Sequence, residues 1–498
     1  MIRKDLTANT NYCEEELHRP TWLTVVQGGQ TQTPLVDALQ NYINQGRIRQ
    51  HMPGHKGNPK ATDLLSHWGD FAMWDVTETE GLDDLHAPVG VIAESERLMA
   101  EAVGAERAYF LVNGATVGIL AAIMSACKKG EGLLLPRNAH RAAWSGIGLS
   151  GCVPHWLQVQ ITKRGLPLGI TPEQLEQALE GDSNIKAALF VYPSFYGVGV
   201  DLPRMLEICR EHGVISIVDE AHGSHFAFVQ PELSAVRLGA DIVIDSWHKS
   251  MGSLGQTAVM LVNNSNLHPE RWLTMLQTTS PSYPMLASLD EARAEWQEKA
   301  ADRSARLEAD WEEICMTTSE LSHLRIYQCS DLPEGYIFDK TKLLIYSATG
   351  HTGWQVAEAL RKAGIEPEFA DRKGVLFLLS YADVEAGILV MEDFLRLADT
   401  LLDDVVPETK EVRELLPLPE VALTPAETLQ KDAEFIPIRQ TVGRISAGLL
   451  TPYPPGIPWV GLGEVINDEV IQAYELRIAA GAQVQGLTQD GLFPVVIE

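Results

Sequence analysis

Apolar and polar positions settle into a regular rhythm only some way into the chain. Residues 1–45 are largely polar and read as an N-terminal arm, broken by one amphipathic stretch at Leu35–Tyr42. From Gly90 onward, short apolar runs alternate with stretches of helical period. Apolar residues three and four apart predict helices over Ser95–Val103, Ala115–Lys128 and Pro203–His212. Near-continuous apolar runs predict strands at Ala108–Val112, Gly132–Pro136, Ala187–Tyr192, Val214–Asp219, Asp241–Asp245 and Thr257–Val262. Strands without a polar face lie in a sheet covered on both sides, and such sheets are mainly parallel. The fold class that follows is α/β, with residues 46–300 forming one large domain.

A long charged helix predicted over Ser288–Thr318 leads out of that domain. Residues 301–402, with a helix predicted at Gly353–Lys362, suit a smaller α/β domain. The acidic, Pro-rich stretch 403–425 reads as a linker, and 426–498 as a C-terminal α+β unit built around the turn Tyr453–Pro458. Composition narrows the function classes. With 45% hydrophobic and 21% charged residues the chain is globular, not disordered. Acidic residues outnumber basic ones 67 to 39, so the basic footprint of a nucleic-acid binder is missing. That acidity serves solubility and is compatible with attracting a cationic substrate. Six cysteines without CxxC spacing imply reduced thiols and neither a disulfide framework nor a metal site. No run of about 18 apolar residues suggests a membrane span. The polar segment Met1–Pro20 lacks the apolar centre of a signal peptide, so the expectation is a cytoplasmic protein.

Two predicted strands end on reactive side chains. Val214–Asp219 runs into Asp219-Glu220-Ala221-His222, and Asp241–Asp245 runs into Asp245-Ser246-Trp247-His248-Lys249. Ligands of open α/β sheets sit beyond the carboxyl ends of the strands, which brings Asp219 and Lys249 to one rim. A pyridine cofactor needs that pair, an acid to keep its ring nitrogen protonated and an amine to form a Schiff base. A lone lysine is ordinarily a solvated surface group; its place after an apolar strand, flanked by Ser246 and His248, sets Lys249 apart. Between the predicted strand at Ala108–Val112 and the helix after it lies Asn113-Gly114-Ala115-Thr116-Val117-Gly118. Free N–H groups at such a helix start, with the Thr116 hydroxyl, can hold a phosphate. His140 follows the strand at Gly132–Pro136 and reaches the same rim, to stack on a planar ring or simply to cap a helix.

These motifs carry a resemblance. The chain resembles the prokaryotic ornithine/lysine/arginine decarboxylase family of fold-type-I pyridoxal-phosphate enzymes, over residues 30–498. The match runs through His51-Met52-Pro53-Gly54-His55-Lys56-Gly57, Glu80-Gly81-Leu82-Asp83-Asp84-Leu85 and Arg137-Asn138-Ala139-His140. It continues through the two strand ends, Thr278-Thr279-Ser280-Pro281 and Tyr453-Pro454-Pro455-Gly456-Ile457-Pro458. The resemblance implies pyridoxal 5'-phosphate bound by Lys249, with Asp219 on the pyridinium nitrogen, His140 on the ring face and His222 near the phenolic oxygen. It implies a phosphate held by Gly114, Thr116, the Val117 backbone, Ser246 and His248. Thr278 is expected to reach the phosphate of a neighbouring subunit, making a homodimer or higher homo-oligomer, and Glu464 to meet the distal cation of the substrate. The phosphate turn has Ala115 and Val117 where the family often has a hydroxyl-rich run, and Arg141 follows His140 where the family commonly has lysine. Only residues 1–45 precede the core, so the N-terminal wing domain of longer relatives is not expected.

The implied reaction is α-decarboxylation of arginine, lysine or ornithine, feeding polyamine metabolism. Arginine is slightly favoured because its planar guanidinium suits paired acceptors. His248 and Lys249 both remain candidates for returning the proton to Cα. Rival readings are an α-oxoamine synthase, which shares the Asp-Glu-Ala-His strand end, and a catalytically silent, cofactor-binding regulatory relative. Pro53–Gly57 and Tyr453–Pro458 weigh against the first, intact Lys249, Asp219 and His140 against the second.

Overall fold

The computed structural model describes residues 29–497 apart from 163, 381–382, 384–388, 405–415, 454–455 and 480. Residues 1–28 of the predicted arm, 405–415 of the predicted linker and Pro454–Pro455 of the turn lie outside the described residues. Seven strands make the sheet of the large domain: β1 (Arg107–Leu111), β2 (Gly132–Pro136), β3 (Val153–Leu157), β4 (Ile185–Val191), β5 (Ile215–Asp219), β6 (Ile242–Asp245) and β7 (Ala258–Val262). Their order is β1-β7-β6-β5-β4-β2-β3. The pairs from β6 to β3 are parallel, and β7 alone runs against its neighbours β6 and β1. A parallel return needs a crossover, usually a helix, whereas β6 and β7 are joined through a single helical turn, Trp247–Ser250. That short reversal is what leaves Lys249 at the rim.

Alternate residues of each strand point to opposite layers. Leu133, Leu135, Leu189, Ile217 and Ile244 pack on one face with α3 (Gly114–Ala126) and α4 (Arg141–Ser150). Leu134, Phe190, Val218 and Val243 pack on the other with α2 (Val91–Val103), α5 (Leu202–His212) and α6 (Tyr283–Ser319). The amphipathic stretch near the N-terminus is α1 (Pro34–Asn44), which buries Leu35, Val36 and Leu39 in that second layer. Its Leu35 N–H donates to Asp290 on α6 at 3.0 Å.

The helix α6 is 37 residues long and passes from the large domain to the small one, where Trp311 and Ile314 join a separate core. There β8 (Leu324–Ile326), β9 (Lys342–Ser347), β10 (Phe369–Ala370) and β11 (Val375–Leu378) form an antiparallel sheet ordered β8-β9-β11-β10. The helices α7 (Gly353–Ala363) and α8 (Leu389–Thr400) cover it. The C-terminal unit pairs β12 (Ala433–Pro437) with β13 (Leu492–Val496) beside α9 (Asp468–Ala479). Among the described residues no helix is long and apolar enough to cross a membrane.

Candidate active site

The carboxyl ends of β1, β2, β5 and β6 meet at one rim, and each delivers a predicted group. Asp219 closes β5, and its Oδ1 accepts the Ala221 N–H at 3.2 Å. The turn after β6 brings Lys249 Nζ to 2.9 Å from His222 Nε2. Burial raises the Asp219 carboxyl above its ordinary pKa, with Lys249 opposing the rise. Burial likewise lowers the Lys249 ammonium, with Asp219 opposing. His222 is pushed well below the ordinary histidine value by burial, and Lys249 and Lys342 push it further. An amine shifted toward its neutral form and hydrogen-bonded to a neutral imidazole is a poised nucleophile.

From β1 the chain enters α3 through Gly114, whose φ of +77° is one that residues with a side chain rarely adopt. Space is not the constraint, since an added Cβ would find its nearest neighbour, the Gln256 carbonyl, at 3.8 Å. This sharp entry points the first N–H groups of α3 at the rim beside Thr116. His248 Nδ1 donates to the Thr257 carbonyl at 2.8 Å, which leaves Nε2 for a ligand. Burial holds this ring below its ordinary pKa.

His140 caps a helix and also stands on the cavity wall. Its Nδ1 accepts the Ala142 N–H at 3.2 Å at the start of α4. Burial first, then the charges of Lys249 and Arg141, push its pKa down to about 4. Gly456 of the C-terminal turn lies against this ring, so that an added Cβ would stand 3.1 Å from it.

One cavity of about 490 Å³ gathers Gly114, Thr116, His140, Asp219, His222, Ser246, His248 and Lys249. The Val117 side chain turns away into the core beneath α3, so only its backbone is placed near the turn. Thr278 is exposed and off the wall; its N–H donates to Asn113 Oδ1 at 2.9 Å, and its carbonyl accepts from His86 Nε2 at 2.8 Å. It therefore abuts the phosphate turn of its own chain from outside. Asn138, Phe195, Glu368, Tyr453 and Ile457 also line the cavity, and none was singled out from sequence. Asn138, Tyr453 and Ile457 stand inside recognised motifs, which was the available signal. Phe195 and Glu368 belong to no motif, and only folding brings them in.

Glu464 corrects one expectation. Its carboxylate is buried, takes two bonds from the Arg137 guanidinium at 2.7 and 2.9 Å, and accepts the Gly461 N–H at 2.7 Å. Arg137 also donates to the Trp459 carbonyl and lies beside the stacked rings of Trp144 and Trp156, 5.3 and 5.4 Å from their centroids. Buried, paired with Arg137 and absent from the cavity wall, Glu464 does not face the place where a substrate would bring its distal cation. It locks the C-terminal unit to the end of β2.

Known proteins share this organisation. Residues 33–323 match the family described as Orn/Lys/Arg decarboxylase, major domain, and residues 408–486 match the Orn/Lys/Arg decarboxylase C-terminal domain. An arginine decarboxylase of Bacillus subtilis is 34% identical over 475 residues, covering 92% of this chain and 96% of the relative. One from Bacillus anthracis is 32% identical over 477 residues, covering 92% and 95%. The solved lysine decarboxylase of Francisella novicida has the same fold, with a TM-score of 0.79 at 18% identity over 94% of this chain and 81% of that one.

Proposed function

The chain belongs to the Orn/Lys/Arg decarboxylase family, and from that premise we propose that it removes the α-carboxylate of arginine in preference to lysine and then ornithine. Decarboxylation of a basic amino acid follows from the family and its curated relatives. The preference for arginine is supported by the names of the arginine decarboxylases it resembles at 32–34% identity.

The family implies pyridoxal phosphate as cofactor, and the cavity fits it. His222 Nδ1 and Asn138 Oδ1 are buried on the wall with no hydrogen-bond partner among the described residues, a costly state that a polar ring substituent would relieve. Lys249 would hold the cofactor covalently, Asp219 would face its ring nitrogen, and His140 and His222 would flank the ring. Gly114, Thr116, the Val117 backbone, Ser246 and His248 would hold its phosphate. When bound, the cofactor supplies an electron sink for the pair left on Cα as carbon dioxide departs. Asp219 would keep that sink charged by pairing with its ring nitrogen. His222 exchanges a proton with Lys249 Nζ, to which it is already hydrogen-bonded. The His140 ring and the Tyr453 and Ile457 side chains form part of the cavity wall on the side of the C-terminal unit. Lys249 or His248 holds the proton that returns to Cα.

The observation that carries this reading is the convergence of Lys249, His222 and Asp219 in one cavity. Two measurements test it. Amine products from arginine, lysine and ornithine are quantified separately, with most product expected from arginine. Borohydride reduction followed by peptide mapping is expected to label Lys249, and Lys249→Ala to remove the label while leaving a folded protein. Label on a different lysine would overturn the assignment. We place the enzyme in the cytoplasm as a homodimer whose amine product enters polyamine metabolism. Polyamine levels that do not change when the gene is deleted would count against that placement.

A further inference from the structure

A dibasic amino acid brings a second positive charge, and that charge must find an acceptor within reach of the place where the α-amine meets Lys249. A cation left unpaired after leaving water is strongly disfavoured. Among the described residues, two acidic side chains line the cavity, Asp219 and Glu368. Asp219 is buried at the end of β5, bonded to the Ala221 N–H, and in the reading above it would face the ring nitrogen. Glu464, the acceptor expected from sequence, is closed off by Arg137.

We propose that Glu368 of the small domain is the carboxylate that receives the distal cation of the substrate and so sets the preference for basic amino acids. Glu368 lies on the wall of the inner cavity and also on that of an open cavity of about 1440 Å³ between the small and C-terminal domains, so it stands where solvent leads inward. Its carboxylate has no hydrogen bond or ion pair among the described residues, unlike Glu358 of the outer cavity, which pairs with Lys362 at 3.5 Å. It is near enough to Lys249 for each to feel the other's charge, and partial burial raises its pKa. A carboxylate in that state gains when a cation arrives.

The backbone that carries it is fixed. The Glu368 N–H donates to the Leu376 carbonyl in the β10–β11 pair. Next to it, the Phe369 ring packs edge-on against Phe195, which in turn packs edge-on against His222. A continuous aromatic wall therefore sets the position of Glu368 relative to the Lys249 partner.

This rests on the decarboxylase reading, and the test separates the two. In the holoenzyme, Glu368→Gln is expected to lower kcat/KM for arginine by about ten- to a hundredfold, mostly through KM. The cofactor absorbance and affinity should stay as in the parent. Agmatine, which keeps the distal cation and lacks the carboxylate, should bind more weakly by a similar factor in calorimetry, and Glu368→Asp should recover part of the loss. Citrulline, a neutral analogue, should bind the parent and Glu368→Gln alike. A parent that decarboxylates arginine, with Glu368→Gln unchanged in KM and agmatine affinity, would overturn the assignment. A parent that releases carbon dioxide from none of the three basic amino acids would instead overturn the activity, while agmatine binding still decides the role of Glu368.

Discussion

The Nδ1 atom of His140 accepts the Ala142 N–H while its ring lies on the cavity wall and its pKa is pushed down to about 4. An unfolded histidine titrates near 6.5, so between those values the unfolded chain takes up a proton that the folded ring refuses. Stability is therefore lost as pH falls from about 6.5 toward 4, by on the order of 3 kcal/mol, and is insensitive to this group at higher pH. His140→Asn keeps a capping acceptor and removes the proton site. In urea unfolding of the cofactor-free protein, the parent should lose about 2 kcal/mol more than His140→Asn between pH 7 and 5. Equal losses would show that the ring is not held neutral by folding. At this scale much of the site was legible: Lys249, Asp219 and His140 follow strand ends, and strand ends are where a sheet of this kind presents chemistry. Glu464 was misread because the sequence gives no sign that Arg137, 327 positions away, would occupy it. Glu368 escaped notice for the converse reason, since its place depends on how the small-domain sheet leans on Phe195.

The elements differ from the hydrophobic pattern chiefly where a distant residue decides a boundary. Periodicity starts α2 at Ser95, yet it begins at Val91 because the Asp83 carboxylate accepts the N–H groups of Val89, Gly90, Ile92 and Ala93. Asp83 belongs to the Gly81-Leu82-Asp83 motif and holds a φ of 69°, so that motif works here as a cap supplied from outside the helix. The mainly parallel sheet was legible from its apolar runs; the reversed direction of β7 was not, because a strand buried on both faces reads alike in either sense. The join between β2 and the C-terminal unit is likewise invisible in the pattern. Arg137→Ala would leave the buried Glu464 charge without its partner, at a cost of about 3–5 kcal/mol. A lower Tm with near-parent KM for arginine at temperatures where the variant stays folded is the expected result. An unchanged Tm together with a raised KM would return Glu464 to the substrate.

In the whole molecule, Thr278 sits outside the cavity of its own chain, exposed, beside the Asn113 that opens the phosphate turn. Near it in the chain Met275 is 71% exposed, and near its partner His86 Val89 is 92% exposed. Large apolar side chains held in water beside a polar loop are what a second subunit would cover. Two copies of a chain of net charge −28 repel one another, so apolar burial has to outweigh that repulsion. If Thr278 serves the site of the partner, each site needs Lys249 from one chain and Thr278 from the other. Lys249→Ala and Thr278→Ala homodimers are then both impaired, and a heterodimer of the two has one site with neither group and one site with both. Random exchange makes half of the dimers mixed, so equal amounts should regain about a quarter of parental activity. Exchange is verified independently, by mass tags on the two chains, and activity is followed as mixed dimers accumulate. Recovery that rises with the mixed fraction supports composite sites. Full exchange without recovery, or a Thr278→Ala homodimer with parental activity and cofactor affinity, would mean that each chain builds its site alone.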